Sequence, residues 1–392
     1  MTDIMRYYAV NWTDGMKISR KHFEASGNYF DEQLRGNAAL LTDDFNFGIL
    51  PGDTGLKLSI FCDVNQQISV SLECCDAVTS NGTRIQVAPE AGLSCQVNLK
   101  TLSDRYGLNM MNDQSFCILL GIDLFTRVPI GKPLPEENPP RHPYTKPKLI
   151  LEVLPAQAVN RQSLDNVLII GKISLLNGML QEDKSFIPAV SAMHSLAVTT
   201  SWYTRFRQLF EEWEQYGFAI IQKVSGKMPG QQALTLATTV GNLCSRMMEQ
   251  LARQKTRLNW MLASAPPVWL CTSIMENFQF LHTVLSCYSE KDREEALNYF
   301  AEWTDAASGT IVNQTRLLFG ISYDHYELGT IFVELERCLA AWVRIFQRLS
   351  QLDFIGKHKG QSVFVIEQEI KDIKGMSSDN NQKPNNRWSP LT

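Results

Sequence analysis

The chain has 392 residues, 44% hydrophobic and 20% charged, with a formal net charge of −4 and a pI near 5.9. That length allows two or three domains with a sizeable core, and the composition is that of a globular protein rather than a disordered or fibrous one. An acidic balance with no basic stripe argues against nucleic acid as a partner, and no apolar run approaches the ~18 residues of a membrane span.

The first residues, "MTDIMRYYAV", carry no apolar run of the secretory type. Nine cysteines, odd in number and without a Cys-x-x-Cys pair, read as reduced, packed thiols. Both point to the cytoplasm. Residues 10 to 23, "VNWTDGMKISRKHF", follow. Asp14-Gly15 suits a tight turn, because glycine accepts positive φ and aspartate bonds to its local backbone. Ser19 is a good N-cap for a helix through "RKHFEASGNYFDEQLRGNAALL", on which Phe23, Phe30, Leu34, Ala38 and Leu41 share a face. Two readings stand here: Trp12 and Met16 plug the end of a sheet and anchor the helix, or the turn and helix head present an edge to a partner protein.

From about residue 55 the pattern has period two. "GLKLSIF", "QISVSLECC", "TRIQV" and "LSCQVNL" alternate apolar with polar, and "SNGT" and "APEAG" supply turns. "SFCILLGIDLF", "KLILEVL" and "NVLIIGKISLL" are continuous enough for strands buried on both faces. Strands of this number and spacing predict a β-sandwich or related barrel over residues 1–190. Within it, "VPIGKPLPEENPPRHPYTKP" holds seven of the sixteen prolines. Such a run is unsuited to a helix or a central strand and predicts an extended arm or surface loop.

After "FIPAVSAMHS" the period becomes helical. Trp202, Phe206, Leu209, Trp213, Tyr216 and Ile220 step by 4, 3, 4, 3, 4 along one seam. A second helix is predicted from Gln231 to about Met261, and a third opens at the prolines of "APP" with Leu270, Ile274, Phe278, Leu281 and Leu285 on one side. A last helix carries Leu328, Ile331, Leu335, Cys338, Trp342, Ile345, Leu349 and Leu352 in unbroken steps of 3 and 4. Seams this long pack against other helices, within one chain or between subunits. Residues 195–352 are therefore a helical bundle, and the whole is an α+β multidomain protein. Residues 353–375 include a short strand-like run, "SVFVIEQEI"; 376–392, rich in Asn, Ser and Pro, read as a disordered tail.

The chain carries no phosphate-binding loop, no HExxH, no paired CxxC and no GxSxG elbow. His22, His142, His194, His282, His325 and His358 are scattered without ligand spacing. No metal, cofactor or enzymatic activity is expected. Asp324 and His325 read as a solvated helix start. Glu211 and Glu212 read as a solvated helix face rather than a carboxylate dyad.

The opening stretch resembles the N-terminal signature of the TssK family, baseplate adaptors of type VI secretion systems. Its pattern of Trp, one residue, an acidic residue, Gly, an apolar residue and then His-Phe is met by Trp12, Asp14, Gly15, Met16, Ile18, His22 and Phe23. The glycine of "NFGILP", the "NGTRI" turn and "FIPAVSAMHS" are similar too, although Ala189 stands where a second proline is usual. The resemblance implies a homotrimer whose β-domain is like the shoulder of phage receptor-binding proteins. It also implies a helical bundle and attachment to the baseplate wedge proteins TssF and TssG, here through Trp12, Asp14, Gly15, Met16, His22 and Phe23. On this reading Trp202, Phe206, Trp213, Ile331, Leu335, Trp342 and Ile345 form the bundle or subunit seam. The family generally continues into a globular C-terminal domain that contacts the membrane complex. Only about forty residues follow the bundle here, so the chain resembles a short variant with an anchoring partner of unknown identity, recruited to the inner face of the bacterial inner membrane without inserting. The alternative is a tail or receptor-binding protein of a phage or phage-like contractile particle, which shares the shoulder fold.

Overall fold

The computed structural model describes residues 6–53, 55–109, 113–226, 231–304 and 308–359. After a helix, α1 (Arg20–Ala39), the alternating segments build two antiparallel sheets. The spine of the first is β3 (Gln67–Val78). β2 (Leu56–Cys62) and β5 (Leu93–Asn98) flank its N-terminal stretch, while β1 (Gly48–Ile49) and β4 (Arg84–Val87) flank its last residues. Ile68, Val70 and Leu72 alternate inward along β3, as a one-sided buried strand requires. Asn98 ends β5 and starts a short helix, α2 (Leu99–Tyr106), which the strand pattern did not announce; its Oδ1 accepts from Lys100 N at 2.9 Å.

The second sheet runs in the order β7 (Tyr144–Pro155), β6 (Gln114–Ile130), β8 (Val167–Leu176), β9 (Met179–Glu182). Leu58 and Ile60 of the first sheet close over Gly171 of β8, where an added Cβ would come within 2.9 Å of Leu58 Cδ2. Contact between a side chain of one sheet and the backbone of the other makes this a tightly closed sandwich.

β6 outlasts its neighbour β8: beyond Gly121 only β7 accompanies it. At Asp123 the register jumps to Arg127, because the Asp123 carboxylate accepts from the N–H groups of Phe125 and Thr126 and from the Thr126 hydroxyl, forming a bulge. The Thr126 hydroxyl is also the main reason its pKa is lowered. Past the bulge the proline-rich stretch is partly strand, with Arg127 opposite Pro147 and Pro129 opposite Thr145. A lone ribbon leaves half of its backbone N–H groups outside any ladder, so proline is tolerated there as it is not in a central strand.

The chain then crosses back over the first sheet. Ile49 N donates to Ala189 O at 2.8 Å and Ser191 N to Ile49 O at 3.0 Å. Gly48, at φ +111°, has no room for a side chain: a Cβ would lie 2.2 Å from Ala189 O. The glycine of "NFGILP" and the alanine of "FIPAVSAMHS" are thus one contact.

The helices are α3 (Ala197–Gly226), α4 (Gln231–Trp260), α5 (Pro267–Cys287), α6 (Glu290–Trp303), α7 (Ser308–Leu318) and α8 (Leu328–Ser350). Both predicted seams close within one chain. Phe206 and Trp213 of α3 are fully buried, and Trp213 meets Phe346 of α8 edge-on at 5.7 Å. Half-buried Trp202 stacks on Phe206 and touches Phe332. Ile331, Leu335 and Ile345 are buried; Trp342 packs on Phe300 of α6 and donates from Nε1 to Thr315 Oγ1 at 3.0 Å. Each such side chain contributes about 1.5–3 kcal/mol by leaving water. The seams are therefore not available as subunit contacts.

The stretch before α8 joins the two halves. Arg161 pairs with Asp324 and Glu327, and Lys172 with Glu327. His325, expected in solvent, is only 4% exposed. Its Nε2 lies 2.9 Å from Phe47 O and its Nδ1 2.8 Å from the Tyr323 hydroxyl. A carbonyl can only accept, so Nε2 carries the proton and Nδ1 accepts from the tyrosine. Burial lowers the His325 pKa, against the opposing pull of the Phe47 carbonyl, Asp43 and Asp324. Past α8, residues 353–359 turn back onto α6, with Gly356 N donating to Tyr299 Oη at 3.0 Å and His358 Nδ1 2.7 Å from Glu302. The strand-like run "SVFVIEQEI" and the tail expected over 376–392 lie outside the described residues.

Candidate docking surface

The opening motif folds as a turn running into a helix. Gly15 takes φ +76° and Met16 N reaches back to Thr13 O at 3.2 Å, so Asp14-Gly15 is the expected turn. Ser19 N donates to His22 Nδ1 at 3.2 Å, which satisfies a backbone donor at the start of α1. The turn brings the Trp12 ring within 5.9 Å of His22 and 6.3 Å of Phe23, centroid to centroid. These aromatic groups pack on one another and not on the core, for Trp12 is 50% exposed and Phe23 64%. Met16 is half-buried. The reading in which Trp12 and Met16 plug the sheet is corrected accordingly.

The cause lies in which face of α1 meets the protein. Its only buried residue is Glu32, whose carboxylate accepts from the backbone N–H groups of Arg6 and Tyr7 and lies near Arg35. Asp31 pairs with Arg127, and Tyr7 packs on Phe125 at 4.5 Å. Phe125 and Arg127 belong to the irregular stretch of the β6 bulge. At the far end Gly82 of the "NGTRI" turn, at φ +82°, sits against the backbone of Ala38 and Ala39, where a Cβ would be 2.5 Å from Ala39 N. Polar groups and close backbone contacts thus fix one side of the helix. The apolar side, with Phe30 and Leu34 beyond Phe23, faces solvent.

Among the described residues no group of three or more His, Cys, Asp or Glu could hold a metal, and no helix is long and apolar enough to cross a membrane. His22 contacts the Trp12 ring, and its Nδ1 lies 3.2 Å from the backbone nitrogen and 3.3 Å from the hydroxyl of Ser19. Glu211 pairs with Arg207, and Glu212 accepts from Gln208, each one turn away. Those two carboxylates lie on the helix surface, as the sequence indicates.

No family model matches the chain, and no curated protein matches it. Among solved structures it is similar to a crystal structure of TssK, 14% identical, with 86% of this chain and 69% of that one covered at a TM-score of 0.49. It is also similar to a chain of the baseplate complex from the type VI secretion system, 14% identical, with 86% and 100% covered at a TM-score of 0.48. A third is TssK from the type VI secretion system of EAEC in complex with a nanobody, 12% identical, with 82% and 99% covered at 0.45. The likeness is one of fold.

Of the residues singled out from sequence, Trp12, Asp14, Gly15, Met16, His22 and Phe23 come together at the head of α1. The seam residues Trp202, Phe206, Trp213, Ile331, Leu335, Trp342 and Ile345 belong to the bundle core instead. Sequence reading missed Glu32, Asp31, Tyr7 and Phe125, the groups that orient the helix. The available signal was the acidic pair Asp31-Glu32 beside the apolar stripe, a pair with no reason to be buried unless donors meet it.

Proposed function

We propose that this chain is a non-enzymatic structural component of a type VI secretion baseplate, an adaptor of the TssK kind. The observation that carries the proposal is the aromatic head of α1. A helix is clamped by its polar face so that Trp12, Phe23, Phe30 and Leu34 stand in solvent. Covering each of these half-exposed side chains contributes about 1–2 kcal/mol, so the face favours a protein partner and has no use in catalysis. Two of the residues that form it, Trp12 and Phe23, belong to the stretch that resembles the family's opening signature.

On this reading residues 1–190 dock the wedge proteins TssF and TssG through Trp12, Asp14, Gly15, Met16, His22 and Phe23. Residues 195–352 supply a rigid bundle, and three copies assemble in the cytoplasm. The segment after α8 serves attachment to a membrane anchoring complex at the inner face of the inner membrane. Since the seams of α3 and α8 are consumed inside each chain, the trimer forms through other surfaces. Co-purification with TssF and TssG tests the docking, and light scattering of the free protein tests the assembly. The Trp12→Ala/Phe23→Asp variant changes only exposed side chains; it should lose the wedge proteins and keep the mass of three chains. Full retention of TssF and TssG by the variant, or a monomer in the parent protein, would overturn the proposal.

A further inference from the structure

Between α5, α6 and α7 lies a cleft of about 510 Å³, unrelated to the α1 surface. Its floor includes Leu285 and Leu297, both buried, and its walls carry His282, Arg293, Asn298, Asn313 and Arg316. The volume falls in the range of small-molecule sites, about 300–1,000 Å³. Two arginines line it. Elsewhere in the bundle Arg205 pairs with Glu336, Arg207 with Glu211 and Arg257 with Glu276. Arg293 and Arg316, from two different helices, line one cleft, and neither has an ion-pair partner among the described residues. His282 stands beside them, its ring held edge-on to Phe319 at 5.5 Å.

We propose that this cleft binds a phosphate group, free or carried by a nucleotide-sized molecule. Arg293 of α6 and Arg316 of α7 both line the cleft, with the amides of Asn298 and Asn313 as further neutral donors. One fork alone satisfies a planar carboxylate in bidentate fashion. Donors from several directions suit a tetrahedral anion with three or more acceptor oxygens. The leucine floor accommodates an apolar body attached to the phosphate. Glu294, also in the wall, opposes the anion, so its charge limits affinity.

Isothermal titration of the full chain at fixed ionic strength, with inorganic phosphate and with AMP, tests the site. Saturable binding of at least one is expected. AMP binding more tightly assigns a share to the leucine floor, and equal binding assigns the affinity to the phosphate alone. Arg293→Gln/Arg316→Gln should weaken binding by roughly tenfold or more, as loss of charge-assisted bonds does. Arg316→Lys, which keeps charge without the fork, should fall between, and Glu294→Gln should bind more tightly. Unfolding curves that match the parent protein show that the variants remain folded. Absence of saturable heat with both compounds, or an affinity unchanged in the double variant, overturns the assignment.

Discussion

Replacing His325 by phenylalanine keeps an aromatic ring but removes two hydrogen bonds, one across the junction to Phe47 and one to the neighbouring Tyr323. The Phe47 carbonyl then loses its partner in a buried site, at about 1–3 kcal/mol, while the Tyr323 hydroxyl keeps its hydrogen bond with the Val268 backbone. At pH 8 the variant should be less stable by an amount of that order. The pH dependence separates this from a simple packing defect. Burial holds the folded-state pKa of His325 below its ordinary value of about 6.5. Above that value the ring is neutral in both states and pH has no leverage. As pH falls below it, the unfolded chain takes a proton that the folded chain refuses. Stability is therefore lost by about 1.4 kcal/mol per pH unit until the folded pKa is reached. The phenylalanine variant lacks this contribution, so its deficit should shrink as the solution is acidified from about pH 6.5 toward 5. Urea unfolding followed by tryptophan fluorescence at several pH values measures both curves. Parallel curves across that window, or a deficit that widens on acidification, would refute the argument.

Two further outcomes follow from the glycines. Gly48→Ala places a Cβ 2.2 Å from a backbone oxygen at φ +111°. It should lower the midpoint of thermal unfolding sharply or abolish soluble expression, because neither backbone can yield. Gly27→Ala, within α1 with nothing inside 4 Å of the added carbon, should instead stabilise the protein by about 0.5–1 kcal/mol in urea unfolding.

Much of the architecture was legible because burial imposes a period. Ile68, Val70 and Leu72 alternate, and Leu328 to Leu349 keep steps of 3 and 4, since one side of each element faces the core along its whole length. α6 escaped notice because its first turns are charged, "EKDREE", and its buried residues Ala296, Leu297, Tyr299 and Phe300 crowd into the second half. The better clue was Ser289, whose hydroxyl accepts from Asp292 N and caps the helix. The apolar face at the head of α1 was legible in its residues but not in its orientation. A stripe of Phe23, Phe30 and Leu34 reads as core-facing by itself; only the distant Arg127 and the backbone of Arg6 and Tyr7 decide that the acidic face turns inward. His325 was misread for the same reason, since its partner Phe47 lies 278 residues away in sequence.

The crossing at Phe47, Gly48 and Ile49 bears on how freely this sequence could drift. The contacts there use backbone atoms of Ile49, Ala189 and Ser191, and His325 reaches a backbone carbonyl. Backbone groups are the same whatever side chain a position bears, so these hydrogen bonds survive any substitution that keeps the buried positions Phe47, Ile49 and Val190 apolar and of similar volume. The tolerance ends at Gly48, where any side chain collides, and at His325, whose two nitrogens must act in opposite senses. Random mutagenesis selected only for folding should find those two positions intolerant of any change, while buried Phe47 and Ile49 accept only apolar replacements.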